Sequence, residues 1–470
     1  MGSDRPYIFY ELTNSLCATC LQKVEAKIVF QNDRVYMLKN CFEHGHQKVL
    51  ISTDVEYYKL ARGFLKPGQM PLRFNTKTEF GCPYDCGLCP DHEQHSCLTL
   101  IEITDRCNLE CPVCYAESGP KAGQHRSLEQ IEFMMDELVK NEGAPDVVQL
   151  SGGEPTIHPQ FWEIMDLAKT KPIKHLMINT NGVKIASDRE FAKRLSTYMP
   201  GFEVYLQFDS LKQDNLMRLR GEDLRDVRTK ALEHLNDFDI STTLVVTLSK
   251  GWNDNEIGEI IDFAVKQPCI RGVTFQPIQS TGRVEGFDPA TDRLTLSEVR
   301  QNILSQSDIF KDDDILPVPC HPDCIAMAYA LKSGDKVVPL TSILGTEILL
   351  KEAGNTIQYE QDPAIKKRLF ELFSLDKTSG TMSHAIANLL CCLPQLEIPS
   401  EISYKNIFRI IIMEFLDKYN FDVRSVKRTC VHIAHLDGRI IPFDTYNMFY
   451  RNGTDVAALS RGREREPVKQ

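Results

Sequence analysis

The chain has 470 residues, enough for one to three domains, and its 42% hydrophobic and 25% charged residues exclude a disordered or fibrous polymer. A formal charge of −11 and a pI near 5.6 offer no basic face to a polyanion, so no nucleic acid is expected as a partner. The outlier is cysteine: 16 residues, too few for a small disulfide scaffold, with ten of them at or before position 114.

The opening MGSDRPYIFY has no apolar signal core, and Pro6 stands where a myristoylation signal wants Ser or Thr. No apolar run reaches the ~20 residues of a membrane span, since even residues 407–416 are interrupted by Arg409 and Glu414. The expectation is a cytoplasmic protein that meets a membrane surface only through apolar patches. Closely spaced cysteines in that compartment read as metal ligands.

The first segment, residues 1–97, carries two cysteine sets. Cys17 and Cys20 form C-x2-C, and Cys41 with His44 forms C-x2-H. Between them KIVFQNDRVYML alternates like a hairpin turning at Asn32-Asp33. Two ligand corners on a hairpin predict a zinc-ribbon or rubredoxin-like knuckle holding one Zn or Fe, with His44, His46 or a distant cysteine as fourth ligand. Next, GCPYDCGLCPDHEQHSC places Cys82, Cys86 and Cys89 at C-x3-C-x2-C, with Cys97 following and His92 and His95 on the same loop.

From residue 98 strands alternate with helices. Strands are predicted at 98–104, 147–150, 175–179, 203–208, 242–247 and 272–276, and helices at 128–139, 161–168, 191–195, 227–235 and 257–265. Ser127 with Gln130 is a capping-box pattern opening the first helix. This order predicts an α/β fold with a partial (β/α)6 TIM-like barrel over 98–310, whose chemistry sits at the C-terminal strand ends. A mostly helical region, 311–460, and a disordered tail, 461–470, complete the expected organisation.

The sharpest motif is CNLECPVC, with Cys107, Cys111 and Cys114 directly after the first barrel strand. Three thiolates on one loop hold three irons of a [4Fe–4S] cluster and leave the fourth open. Ser151-Gly152-Gly153-Glu154-Pro155 ends the second strand, and its glycines permit close backbone approach to a small zwitterion. Alone, either motif has a bland reading, a zinc knuckle or an ordinary turn. Later strand ends offer Asn179 and Asn181, Gln207 with Asp209, and Gln276. Beyond the barrel stand Cys320, Cys324, Cys391, Cys392 and Cys430, whose competing reading at 391–392 is buried small hydrophobes. Cys269 reads as core.

C-x3-C-x2-C after the first strand and GGE after the second together resemble the radical S-adenosylmethionine (SAM) superfamily, over roughly residues 98–280. The resemblance implies that SAM chelates the open iron beside Cys107, Cys111 and Cys114. Its reductive cleavage then gives a 5′-deoxyadenosyl radical that abstracts hydrogen from an unactivated C–H bond. Ser151, Gly152, Gly153, Glu154, Asn179, Asn181, Gln207, Asp209 and Gln276 are the implied SAM-holding set. Val113 stands where the superfamily usually has an aromatic residue, which weakens any assumed adenine contact there. With that loop assigned to SAM, Cys82, Cys86, Cys89 and Cys97 are read as an auxiliary [4Fe–4S] cluster. Cys320 and Cys324, with one of Cys391 and Cys392 and with Cys430, are read as a second.

The knuckle, the two C-x3-C-x2-C loops and the ending CVHIAHLDGRIIPFDTYNMFYR resemble one subgroup in particular, the tetraether lipid synthases and class D radical SAM methylases. This implies carbon–carbon coupling of lipid alkyl chains, with residues 407–421 lining a lipid tunnel or serving as helix core. The alternative it implies is methyl transfer from a methylene-folate or methylene-methanopterin donor. Either reaction takes electrons from a low-potential donor such as ferredoxin or flavodoxin. A non-enzymatic zinc or Fe–S binding module is the competing class. No catalytic side chain is named by the sequence.

Overall fold

Gln31 pairs with Arg34 across Asn32 and Asp33, whose φ angles of +52° and +56° make the two-residue turn that matches strand twist. In the computed structural model, which describes residues 5–64, 66–352 and 404–461, this turn joins two of four antiparallel strands. They are β1 (Ile8–Leu16), β2 (Lys23–Gln31), β3 (Arg34–Cys41) and β4 (Gly45–Ser52), ordered β1-β2-β3-β4. Val24, Ala26 and Ile28 are buried while Glu25 and Lys27 are exposed, so one face of the sheet is apolar. Val55 and Tyr58 of the following helix, Val55–Gly63, pack on it.

Strands β5 (Leu98–Thr104), β6 (Val147–Gly152), β7 (His175–Thr180), β8 (Phe202–Gln207), β9 (Thr242–Leu248) and β10 (Ile270–Pro277) lie parallel and adjacent in chain order. Every residue of β5 is buried, as a parallel strand covered on both faces requires. Helices connect the strands. The one at Leu128–Glu142 opens on the expected capping box, with Gln130 N donating to Ser127 Oγ and Ser127 N to Gln130 Oε1. Helix faces and outward strand residues, among them Ile101, Met135, Ile164 and Leu244, form the larger apolar core.

After residue 310 the described residues mix short helices with strands that the sequence reading did not place: β11 (Leu316–Pro317), β12 (Ile325–Ser333), β13 (Lys336–Pro339), β14 (Ile407–Met413), β15 (Val431–Ala434) and β16 (Ile440–Pro442). β14 runs parallel to β10 and β15 parallel to β5, so both edges of the six-stranded unit are covered by later chain. IFRIIIM is therefore a strand and not a helix core. Phe408, Ile410 and Ile412 face the outer core and Ile407 and Met413 the opposite one, and burial on both sides hides the period-two signal. Cys391 and Cys392, and residues 462–470 of the tail, lie outside the described residues. No described helix is long and apolar enough to cross a membrane.

Candidate active site and metal centres

The parallel strands curl around a cavity of about 150 Å³ lined from β5 through β10 and by β14 and β15. Cys107, Cys111, Cys114, Gly152, Gly153, Glu154, Asn179, Asn181, Gln207 and Gln276 all contribute to its wall. Ser151 and Asp209 do not. The Ser151 hydroxyl is 3.2 Å from the Tyr115 hydroxyl, and the Asp209 carboxylate is gripped by Arg220 through bonds of 2.7 and 2.6 Å. Burial raises the Asp209 carboxyl, but the adjacent guanidinium outweighs it and the net shift is downward.

The cysteine loop is fixed from outside the cavity. Cys107 N donates to Gly119 O, Cys114 N to Arg283 O, and Arg283 Nε to Cys111 O at 2.6 Å. Burial pushes the Cys107 thiol up to about 12 and raises Cys111 too, although the Arg220 guanidinium beside Cys111 opposes that rise, so three adjacent thiolates there want more positive charge than the protein supplies. A multinuclear cationic centre supplies that charge, so this donor set fits an iron–sulfur cluster held by three thiolates.

The glycines of the GGE segment serve the protein's own backbone. A Cβ on Gly152 would lie 2.1 Å from Thr104 O, and one on Gly153 would lie 2.0 Å from Arg106 O. Gly153 N and Glu154 N donate to those same carbonyls. The end of β6 thereby rests directly on the base of the cysteine loop. Glu154 Oε1 accepts from Thr156 N, Thr156 Oγ1 and Thr180 Oγ1, and Oε2 accepts from Asn181 N. Asn181 in turn donates to Asn108 Oδ1 at 2.7 Å. Its carboxylate so engaged, Glu154 ties three strand ends together at the cavity rim.

Cys17, Cys20, Cys41 and His44 bring one ligand atom each within 4.8 Å of one another, which makes His44, not His46, the fourth member. Cys20 Sγ and Cys41 Sγ are 3.9 Å apart, close to the ~3.8 Å that tetrahedral Zn–S bonds of ~2.3 Å impose. The donor set fits a single tetrahedral ion. Lys39, buried beside it, donates to Leu16 O and also to Lys418 O and Tyr419 O, joining this sheet to the chain after β14.

Cys97 is the main correction among the ligands. It does not join Cys82, Cys86 and Cys89; its sulfur lies within 4.8 Å of those of Cys320 and Cys430. The cause is strand pairing: Leu98 opens β5, Val431 opens β15, the two are register partners, and Leu98 N donates to Cys430 O. The residues just before each strand, Cys97 and Cys430, are thus neighbours although they stand 333 positions apart in the chain. Cys324, expected beside Cys320, lies instead 3.3 Å from Ser425 Oγ and faces a separate cavity of about 60 Å³. Burial opposes ionisation of all three clustered thiols, yet hydrogen bonding among them lowers Cys320 while Cys97 and Cys430 are raised. Cys82, Cys86 and Cys89 line their own small cleft with His92. The other loop histidine, His95, hydrogen-bonds Glu142 at 3.0 Å and approaches Cys97 Sγ at 3.5 Å. Cys269 is fully buried in the core.

Residues 101–264 match the family model described as the radical SAM superfamily. Over 93% of its length this chain is 33% identical to the 7,8-dihydro-6-hydroxymethylpterin dimethyltransferase of Methanocaldococcus jannaschii, covering 94% of that protein. The chain belongs to the radical SAM superfamily. As a radical SAM enzyme it uses SAM and a [4Fe–4S] cluster, and its cysteine-rich sites fit auxiliary metal binding. Residues 9–53 match a second model, the HMPTM N-terminal zinc ribbon domain. The mycofactocin maturase MftC of Mycolicibacterium smegmatis is 28% identical over 38% of this chain and 44% of its own. The structure of SuiB from Streptococcus suis bound to S-adenosylmethionine is 17% identical, covers 44% of this chain and 46% of that one, and superposes with a TM-score of 0.37.

Several residues of this radical SAM site carry no motif. Gln149, Arg220, Asp444 and Asn447 line the cavity. Gln149 had a legible signal, a polar residue inside the apolar strand run VVQL. Asp444 had none, since nothing near it in sequence reveals that it turns into the cavity.

Proposed function

We propose that this protein is a radical SAM methyltransferase acting on a reduced pterin, with a methylene-folate or methylene-methanopterin as one-carbon donor. The observation that carries the reading is the 33% identity to a pterin dimethyltransferase across 93% of this chain, ribbon and barrel together. The cavity's chemistry supports it. Gln149, Asn179, Gln207 and Gln276 present side-chain amides to the lumen, and Gln149 Oε1 and Gln279 Nε2 have no hydrogen-bond partner among the described residues. A lipid tail would leave these polar groups unpaired, at about 1–3 kcal/mol each, whereas a pterin carries alternating donors and acceptors around its ring. These two observations favour pterin methylation over the coupling of lipid chains.

When bound, the reduced cluster supplies the electron that cleaves SAM into a hydrogen-abstracting 5′-deoxyadenosyl radical. Cys107, Cys111 and Cys114 would hold that cluster. Asn181 and the rim fastened by Glu154 would place SAM against it, and the amides would orient the heterocycle. Cys82, Cys86 and Cys89, and separately Cys97, Cys320 and Cys430, are the sets we assign to further metal centres. A low-potential ferredoxin or flavodoxin would deliver the electron.

The test is anaerobic reconstitution with iron and sulfide, followed by SAM, dithionite, 7,8-dihydro-6-hydroxymethylpterin and methylene-tetrahydrofolate. Methylated pterin by mass spectrometry is the expected product. Release of 5′-deoxyadenosine with no methylated pterin, and tail-to-tail dimers when lipid replaces the pterin, would overturn the reading.

A further inference from the structure

Two carboxylates line the cavity, and they differ in what the protein leaves them to do. Glu154 accepts four hydrogen bonds from its own chain, which matches the ~4 lone-pair positions of a carboxylate. Among the described residues Asp444 accepts from two others, Leu416 N to Oδ1 at 2.6 Å and Thr429 Oγ1 to Oδ2 at 3.2 Å. It is 2% exposed, and no Lys or Arg among the described residues forms an ion pair with it. Arg220, a guanidinium on the same cavity wall, is consumed by Asp209. Asp444 is thus a buried acceptor with spare lone pairs and no counter-ion, an arrangement that costs free energy unless a donor arrives.

The surroundings define the donor's shape. Phe443, the preceding residue, packs its ring 4.0 Å from Phe415 and 5.2 Å from Tyr115, centroid to centroid, and all three rings border the cavity. Flat apolar walls beside one free carboxylate suit a planar heterocycle with adjacent N–H groups on one edge. The 2-amino-4-oxopyrimidine half of a pterin has that edge, its exocyclic amine lying next to the ring N3–H. Carboxylates pair with such an edge by charge-assisted bonds.

We propose that Asp444 is the specificity-determining residue for the substrate ring, its carboxylate accepting from the amine and N3–H edge of a 2-amino-4-oxopteridine. This assignment rests on the pterin reading above and deepens it. Burial also pushes the Asp444 carboxyl up to about 7, consistent with a group that is stabilised as an anion only once donors reach it.

The test uses the reconstituted full-length protein and two fluorescent probes: pterin, and lumazine, in which an oxo group replaces the 2-amino group. Asp444→Asn keeps an oxygen for Leu416 N, and its SAM affinity, measured in parallel, is expected to stay at the wild-type value. The wild type should bind pterin about ten- to a hundredfold more tightly than lumazine, the worth of a charge-assisted hydrogen bond. In Asp444→Asn that preference should fall to near unity, because the new amide donates to the 2-oxo group. Asp444→Glu should restore part of it. A variant that retains the wild-type preference, or one whose loss is in SAM affinity, overturns the role of Asp444 while leaving pterin binding intact. A wild type that binds neither pteridine overturns the pterin reading beneath it.

Discussion

Arg220 and Asp209 form a buried, doubly hydrogen-bonded pair directly behind the cysteine loop, with bonds of 2.7 and 2.6 Å. Asp209 sits at φ +68° and its carboxylate also receives Thr247 N, while Arg220 reaches Cys111 from the other side. The pair links the ends of β8 and β9 to one cluster-facing thiol, so its integrity sets where that thiol stands.

Removing either member strands the other as a buried charge. Asp209→Asn or Arg220→Met is expected to cost about 3–5 kcal/mol in denaturant unfolding, and the double replacement less than the sum. Additive losses in the double-mutant cycle would show that the two do not act as a pair.

Gly153→Ala tests the contact between the GGE segment and the cysteine loop. Its Cβ would meet Arg106 O at 2.0 Å, and backbone cannot move aside as a flexible side chain can. Overpacking of this kind costs about 1–3 kcal/mol, and the displaced rim should lower SAM affinity measured by calorimetry. Gly251→Ala, where the added methyl meets no atom within 4 Å, compares a glycine constrained by φ +74° alone.

The regrouping of Cys97 predicts which variants share a spectroscopic phenotype. Ala at Cys97, Cys320 or Cys430 should remove the same iron signal in Mössbauer or EPR spectra, and Ala at Cys82 or Cys86 a different one. Ala at Cys17 or His44 should lower bound metal by a single ion in elemental analysis with the cluster signals unchanged. If Cys97→Ala instead reproduced the Cys82→Ala spectrum, the two sets would be one.

Pterin affinity should depend on pH through Asp444. Burial first, with Cys430 adding in the same direction, raises its carboxyl to about 7. Since N–H donors bind the ionised form, affinity should be level above about pH 7 and fall roughly tenfold per unit below it, with proton release on binding near pH 7. The same raised value means the empty fold loses stability as pH rises from about 4 to about 7 and levels off above that, because over this range the native carboxyl keeps a proton that the unfolded one has already lost. Fluorescence titrations at pH 6 to 8 read the first effect, and Asp444→Asn should flatten the profile.

Local spacing determined much of this protein. C-x3-C-x2-C and GGE stand within a few residues of strands whose periodicity is visible, so β5 through β10, the Asn32-Asp33 turn and the Cys17–His44 knuckle were legible from short-range pattern. Those features depend on backbone geometry over a handful of residues, which sequence encodes directly. What only the tertiary structure decided depends on pairing between distant segments. β14 and β15 join opposite edges of the same sheet, and their burial on both faces erased the alternation that would have marked 407–413 as a strand. The register of Leu98 with Val431 moved Cys97 from its sequence neighbours to Cys430, and the same closing segment carried Asp444 to the cavity wall. Ligand sets and substrate contacts are matters of distance in space, and a gap of more than 300 residues carries no distance until the sheet is assembled.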